Sequence, residues 1–172
     1  MESISDILNR AYELAIDGAG YDEALSLCEQ VLLDYPDNSE AFRKRAAIHA
    51  RTGNFQSAVT DLTRGINNGV NSSEWFFFRG WWRLELDDLQ GAVDDLTKAI
   101  ELDRTEEHHP YEESSYFFRA VAFLNLGKGE AAILDCRQVR EDFIIYSQTL
   151  GRLTRSDVLA QANRLSRGGS SG

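Results

Sequence analysis

A segment that recurs constrains this chain more than any other feature. Ala58-Val59-Thr60-Asp61-Leu62-Thr63-Arg64-Gly65-Ile66 returns 34 residues later as Ala92-Val93-Asp94-Asp95-Leu96-Thr97-Lys98-Ala99-Ile100. A looser copy, Ala132-Ile133-Leu134-Asp135-Cys136-Arg137-Gln138-Val139, follows after another 40 residues. Each copy has a partner segment upstream: Phe42-Arg43-Lys44-Arg45-Ala46, Phe76-Phe77-Phe78-Arg79-Gly80 and Tyr116-Phe117-Phe118-Arg119-Ala120. An earlier unit opens its second segment at Tyr21-Asp22-Glu23-Ala24-Leu25 and closes near Pro36. A unit this short cannot bury its own apolar face, so successive copies must stack into one core.

The spacing inside each segment is helical. Ala58, Leu62 and Ile66 fall at i, i+4 and i+8 and form one apolar stripe. Gly53 and Gly127 stand where a first helix must stop, as a left-handed terminal residue would. Asp87 stands in that place in the third unit. Ser39 and Ser73 are the expected caps of the next first helices. Only Pro36 and Pro110 interrupt the chain, which leaves room for long helices. Each unit is therefore two antiparallel helices joined by a short turn. Val158, Leu159, Ala162 and Leu165 make a further stripe, so residues 156–167 read as a capping helix with Ser156 as its cap. The apolar run Phe143-Ile144-Ile145-Tyr146 either extends the last helix or packs under that cap. Gly168 to Gly172 reads as a flexible tail.

A small residue, then Gly, an aromatic, Ala and finally Pro within a 34-residue helical pair resembles the tetratricopeptide-repeat (TPR) family. Ala46, Gly53, Phe55, Ala58 and Leu62 carry the resemblance best, with Tyr21, Ala24 and Pro36 in the first unit. It departs from the family where Val70 and Arg104 replace Pro and where residues 107–112 are inserted. The resemblance implies an all-α, right-handed superhelical solenoid of four repeats, about 4–38, 39–72, 73–106 and 113–146, plus the capping helix. Together they make a single domain over 1–167, with 168–172 as tail. It further implies that the first helix of each pair lines a concave groove. By phase that row is Leu8, Tyr12 and Ala15; Arg43, Ala47, Ala50 and Arg51; Phe77, Trp81 and Leu84; and Phe117, Val121 and Leu124, with Lys44 beside Arg43. These are the residue types that dominate binding hot spots. Chaperone-binding members clamp a carboxylate with Lys and Asn, but Leu8 and Tyr12 occupy those places here. An extended or helical apolar peptide is the ligand that remains.

A second row recurs at the same offsets: Arg45, Arg79 and Arg119 with Asp61, Asp95 and Asp135. Three copies suit architecture better than a single catalytic centre, so these read as structural ion pairs. Cys28 and Cys136 take places that Leu62 and Leu96 fill in other units, which predicts buried thiols. The loop Glu106-Glu107-His108-His109-Pro110-Tyr111-Glu112 reads as a solvated insertion, because neighbours on a loop rarely converge on a metal. No phosphate loop, triad or zinc motif occurs, so no catalytic residue, metal or cofactor is expected.

Charge completes the reading. Lys plus Arg number 18 and Asp plus Glu 28, a net −10, which repels phosphate backbones and argues against nucleic acid as a partner. No segment reaches the ~18 apolar residues of a membrane span and no leader-like stretch opens the sequence, so a cytoplasmic location is expected. The expected function is a non-enzymatic adaptor, scaffold or chaperone that binds a protein or peptide. The alternatives are self-association into a homodimer, docking of the C-terminal helix in the groove, or a small secretion-type chaperone.

Overall fold

The computed structural model describes residues 2–18, 20–105, 108–148 and 150–168. The inserted Glu107, its neighbour Glu106 and the tail residues 169–172 lie outside the described residues. The chain falls into two compact units, Met1–Asn71 and Ser72–Gly172.

The first unit holds α1 (Ile4–Ile16), α2 (Tyr21–Asp34), α3 (Ser39–Arg51) and α4 (Phe55–Asn67). α1 packs on α2 and α3 on α4, and the first helices α1 and α3 also touch each other. The core is Leu8, Ala11, Ala15, Ala24, Leu27, Cys28, Val31, Ala41 and Ile48. Four of those nine are alanines, so helices approach closely and few large side chains fill the gap between them.

The second unit holds α5 (Ser73–Glu85), α6 (Leu89–Asp103), α7 (Glu112–Asn125), α8 (Gly129–Cys136), β1 (Ile144–Ser147), β2 (Gly151–Thr154) and α9 (Arg155–Gly168). α5, α6, α7 and α8 pack in sequence, α5 meets α7, and α9 closes the unit against α7 and α8. Gly129 permits that closure: a Cβ there would stand 2.7 Å from the Ala162 carbonyl oxygen. The core is aromatic, with Phe77, Tyr116, Phe117 and Phe118 buried among Leu84, Leu96 and Ile100.

Helix ends follow a shared chemistry. Gly53 and Gly127 adopt φ of 75° and 72°, and Asp87 takes the same left-handed conformation at φ 62°. In all three turns the next amide donates back to the carbonyl five residues earlier: Asn54 to His49, Asp88 to Arg83 and Lys128 to Phe123. Asp87 thus does the work of glycine, at the steric cost an L side chain carries there.

The caps differ from expectation. Asn38, not Ser39, caps α3, its side chain accepting from the Ala41 amide at 2.8 Å. Ser73 lies inside α5, and Ser72 takes the cap position without a side-chain bond. α9 is capped by Thr154 rather than Ser156: Thr154 Oγ1 accepts from the Asp157 amide while the Asp157 carboxylate accepts back from the Thr154 amide.

The larger difference lies after Cys136. α8 has 8 residues where α6 has 15, so the fourth pair stops well short of residue 146. Phe143-Ile144-Ile145-Tyr146 does not extend that helix. It enters an antiparallel hairpin in which Ile144 pairs with Thr154 and Ile145 with Leu153. Alternation explains the strand: Ile145 and Ser147 turn inward while Ile144 and Tyr146 face out.

Candidate functional site

The recurring Arg and Asp meet in all three pairs. Arg45 Nε and Nη2 donate to Asp61 at 2.8 and 2.6 Å. Arg79 grips Asp95 at 2.8 and 2.7 Å, and Arg119 grips Asp135 at 2.8 Å through both nitrogens. This two-pronged geometry matches guanidinium to carboxylate. Each pair ties a first helix to its own second helix. Each Arg also lies over the ring three residues before it: Arg45 over Phe42, Arg79 over Phe76 and Arg119 over Tyr116, at 6.0, 5.5 and 5.4 Å. The aromatic partner escaped the sequence reading, although Phe42, Phe76 and Tyr116 recur at the same offsets. In the second of the three pairs Asp95 also accepts from Arg83 Nη1 at 2.8 Å. With Asp61, Asp95 and Asp135 all buried, these groups fix the pairing of helices.

The first-helix face of the first unit is built by α1 and α3. Lys44 Nζ sits 4.6 Å from the centre of the Tyr12 ring and donates to Asn9 Oδ1 at 3.3 Å. Its side chain is only 12% exposed, so the charge is held among a ring, an amide and, at 3.8 Å, the Glu40 carboxylate rather than projected into water. Asn9 is absent from the expected row. It lies one turn before Tyr12, and only the packing of α1 on α3 brings it to Lys44. Arg43 faces Glu40 instead of adding free positive charge, with Nη2 at 2.6 Å from the carboxylate. Arg51 lies along the rim and donates through Nε to the Ala15 carbonyl at 3.3 Å. Ala47 is half-buried, and Leu8, Ala15 and Ala50 are buried beneath.

The face built by α5 and α7 is different. Phe77, Leu84, Phe117 and Val121 are buried, Phe117 completely. These four therefore offer no open surface in this structure. Trp81 and Leu124 are half-buried and pack on the same cluster. Several segments contribute: the Tyr111 ring stacks on Phe77 at 5.0 Å, and Phe143, Ile145, Leu150 and Leu153 of the β1–β2 hairpin pack against the core of this unit. The Phe143 ring stands 5.0 Å from Phe117, and Ser147 Oγ donates to Glu85 Oε1 at 2.7 Å. The same Glu85 oxygen accepts from the Trp81 indole at 3.0 Å. Trp81 itself stacks on Phe118, 5.0 Å between centres. The hairpin thus reaches both helices of the face, and α9 packs against α7 and α8.

Other chemically capable groups stay apart. Cys28 and Cys136 are free and buried. Burial pushes the Cys28 thiol up to about 12 and the Cys136 thiol up to about 11, so neither is a thiolate near neutrality. His108 and His109 are exposed, and His109 Nδ1 lies 2.6 Å from the Asp103 carbonyl. Among the described residues no group of three His, Cys, Asp or Glu side chains is placed to hold a metal ion. Also among them, no helix is long and apolar enough to cross a membrane. A pocket lined by Gly20, Tyr21, Asp22, Glu23 and Thr52 lies at the acidic start of α2 and includes no residue of either face.

Paired antiparallel helices, small residues at their contacts and left-handed turn residues define the tetratricopeptide-repeat fold, an all-α class here extended by one two-stranded hairpin. Solved structures agree. The chain matches YrrB, described as a TPR protein with an unusual peptide-binding site, at 16% identity and a TM-score of 0.74, over 98% of this chain and 79% of that one. It matches a tetratricopeptide-repeat protein from Parabacteroides merdae at 15% identity and 0.74, over 98% of this chain and 62% of the other. MamA from Desulfovibrio magneticus aligns at 14% identity and 0.65, over 99% and 79%. No protein-family model and no curated protein sequence matches the chain.

Proposed function

We propose that this chain is a non-catalytic protein-interaction module that holds a peptide or protein segment against its first-helix faces. The observation that carries the reading is the Asn9–Tyr12–Lys44 constellation on α1 and α3. A ring, a cation and an amide held together before any ligand arrives form a preorganised contact point, which lowers the ordering cost of binding. The peptide-binding site named for YrrB supports the reading by analogy of fold alone. A cytoplasmic setting and a partner other than nucleic acid belong to the same reading.

Affinity capture from source-cell lysate tests it, with the unaltered chain beside a Tyr12→Ala, Lys44→Glu double variant. The variant is expected to lose bound protein at least tenfold while its helical circular dichroism is unchanged. Equal capture by both chains overturns the proposal.

A further inference from the structure

Within the second unit, the β1–β2 hairpin has the properties of a bound segment. A two-stranded sheet of four-residue strands is marginal by itself and depends on what it lies upon. Its inward apolar residues Phe143, Ile145, Leu150 and Leu153 are only partly buried, and its buried residues are the small polar Ser147 and Thr154, whereas α9 buries Val158 and Ala162 almost completely. Its outward residue Tyr146 is 75% exposed. The residues leading in, 137–142, are exposed except for the buried Val139. At the base the ends meet, with the Arg155 amide donating to the Phe143 carbonyl at 3.2 Å. Few buried contacts and an exposed approach mark a segment that opens at lower free energy than the core beneath it.

The surface beneath is a completed face. α5 and α7 touch each other directly, and Phe77, Trp81, Phe117 and Phe118 interlock ring on ring without help from the hairpin. The hairpin sets the Phe143 ring on Phe117 and the Ser147 hydroxyl on Glu85, with Ile145, Leu150 and Leu153 packed against the core of the unit.

We propose that residues 143–154 are a displaceable internal occupant of the α5–α7 face, and that the face takes a partner's extended apolar segment of the same chemistry. The proposal rests on the interaction-module reading and names the ligand class for its second face. The hairpin is the template: large apolar side chains at alternate positions, with a hydrogen-bond donor for Glu85 at the rim. The tethered hairpin competes at an effective concentration on the order of millimolar, so a free segment binds weakly until the hairpin leaves. The fraction of open chain then scales the apparent affinity.

The probe is a synthetic peptide spanning residues 141–155. It is titrated against the full chain and against a variant in which a short Gly/Ser linker replaces residues 143–153, which the adjacent hairpin ends allow and which keeps Thr154 as the cap of α9. The linker variant is expected to bind at least tenfold more tightly than the full chain, and Trp81→Ala in that background should remove the gain. A folded linker variant that ignores the peptide overturns the proposal. Should the linker variant fail to fold, Phe143→Ala with Ser147→Ala in the full chain loosens the hairpin and leaves the face intact. Amide exchange over 144–154 should then rise at least tenfold while α7 and α9 keep their protection. Loss of protection in all three together overturns the proposal. Either failure leaves capture through Tyr12 and Lys44 untouched, so it is distinct from failure of the module reading.

Discussion

The two units use one plan and finish it differently. The first builds the α1–α3 face from Ala15, Ala47 and Ala50 around a single ring–cation contact. The second builds the α5–α7 face from interlocking aromatic rings and covers it with a hairpin. Small residues leave a face that water can tolerate. A continuous ring surface is too apolar to leave bare, and here the chain supplies the cover by ending α8 early. An apolar row at helical spacing therefore carries two meanings, and what else in the chain can reach it decides between them.

Six substitutions, read in four tests, sharpen or break that comparison. The largest effect is expected at Phe117. Phe117→Ala should cost about 3–5 kcal/mol, the usual range for emptying a buried aromatic site. Tyr12→Ala should cost under about 1 kcal/mol, because a half-exposed ring leaves no cavity. Urea unfolding of both variants decides; equal costs would erase the difference between covered and open faces.

Next come the ion pairs. Asp95→Ala leaves Arg79 and Arg83 with a lost acceptor, whereas Asp61→Ala strands Arg45. Breaking a buried pair costs about 3–5 kcal/mol, and Asp95 should lie at the upper end and Asp61 at the lower. A larger loss at Asp61 in the same denaturation assay would reverse the ranking.

Helix approach gives a smaller effect. Ala46 and Ala120 carry a Cβ where Gly80 has none, and a Cβ on Gly80 would stand 2.8 Å from Leu96 Cγ. Gly80→Ala should therefore cost about 1–3 kcal/mol through overpacking. Thermal unfolding with no drop in midpoint would show that α5 and α6 can separate freely.

The smallest change is a gain. Asp87→Gly relieves the left-handed strain that Gly53 and Gly127 avoid, offset by a looser unfolded chain, for a net stabilisation under about 1 kcal/mol. A lower melting midpoint would mean that the Asp87 side chain contributes more than its backbone costs.

Much of this was legible before any coordinates. The offsets of 34 and 40 place eight paired helices, and the co-recurrence of Arg and Asp points to ion pairs that the structure closes at 2.6–2.8 Å. Gly53 and Gly127 mark the turns because few residues tolerate positive φ. The cap residues were misplaced by one or two positions, since Asn38 and Ser39, or Thr154 and Ser156, offer the same chemistry and only the backbone selects one. Asn9 carried no signal of its own: it is polar on a polar-edged helix, and its meeting with Lys44 arises across 35 residues of chain.

The sequence by itself determined the repeat, the helix pairing and the pairs of charges, because those depend on local spacing that every copy restates. Tertiary structure decided that the aromatic face is covered. Phe77, Trp81 and Phe117 have the same spacing whether or not they are covered. Their cover is a hairpin whose position depends on contacts between residues far apart in the chain, Phe143 with Phe117 and Ser147 with Glu85. Such non-local contacts leave no periodic trace in a sequence.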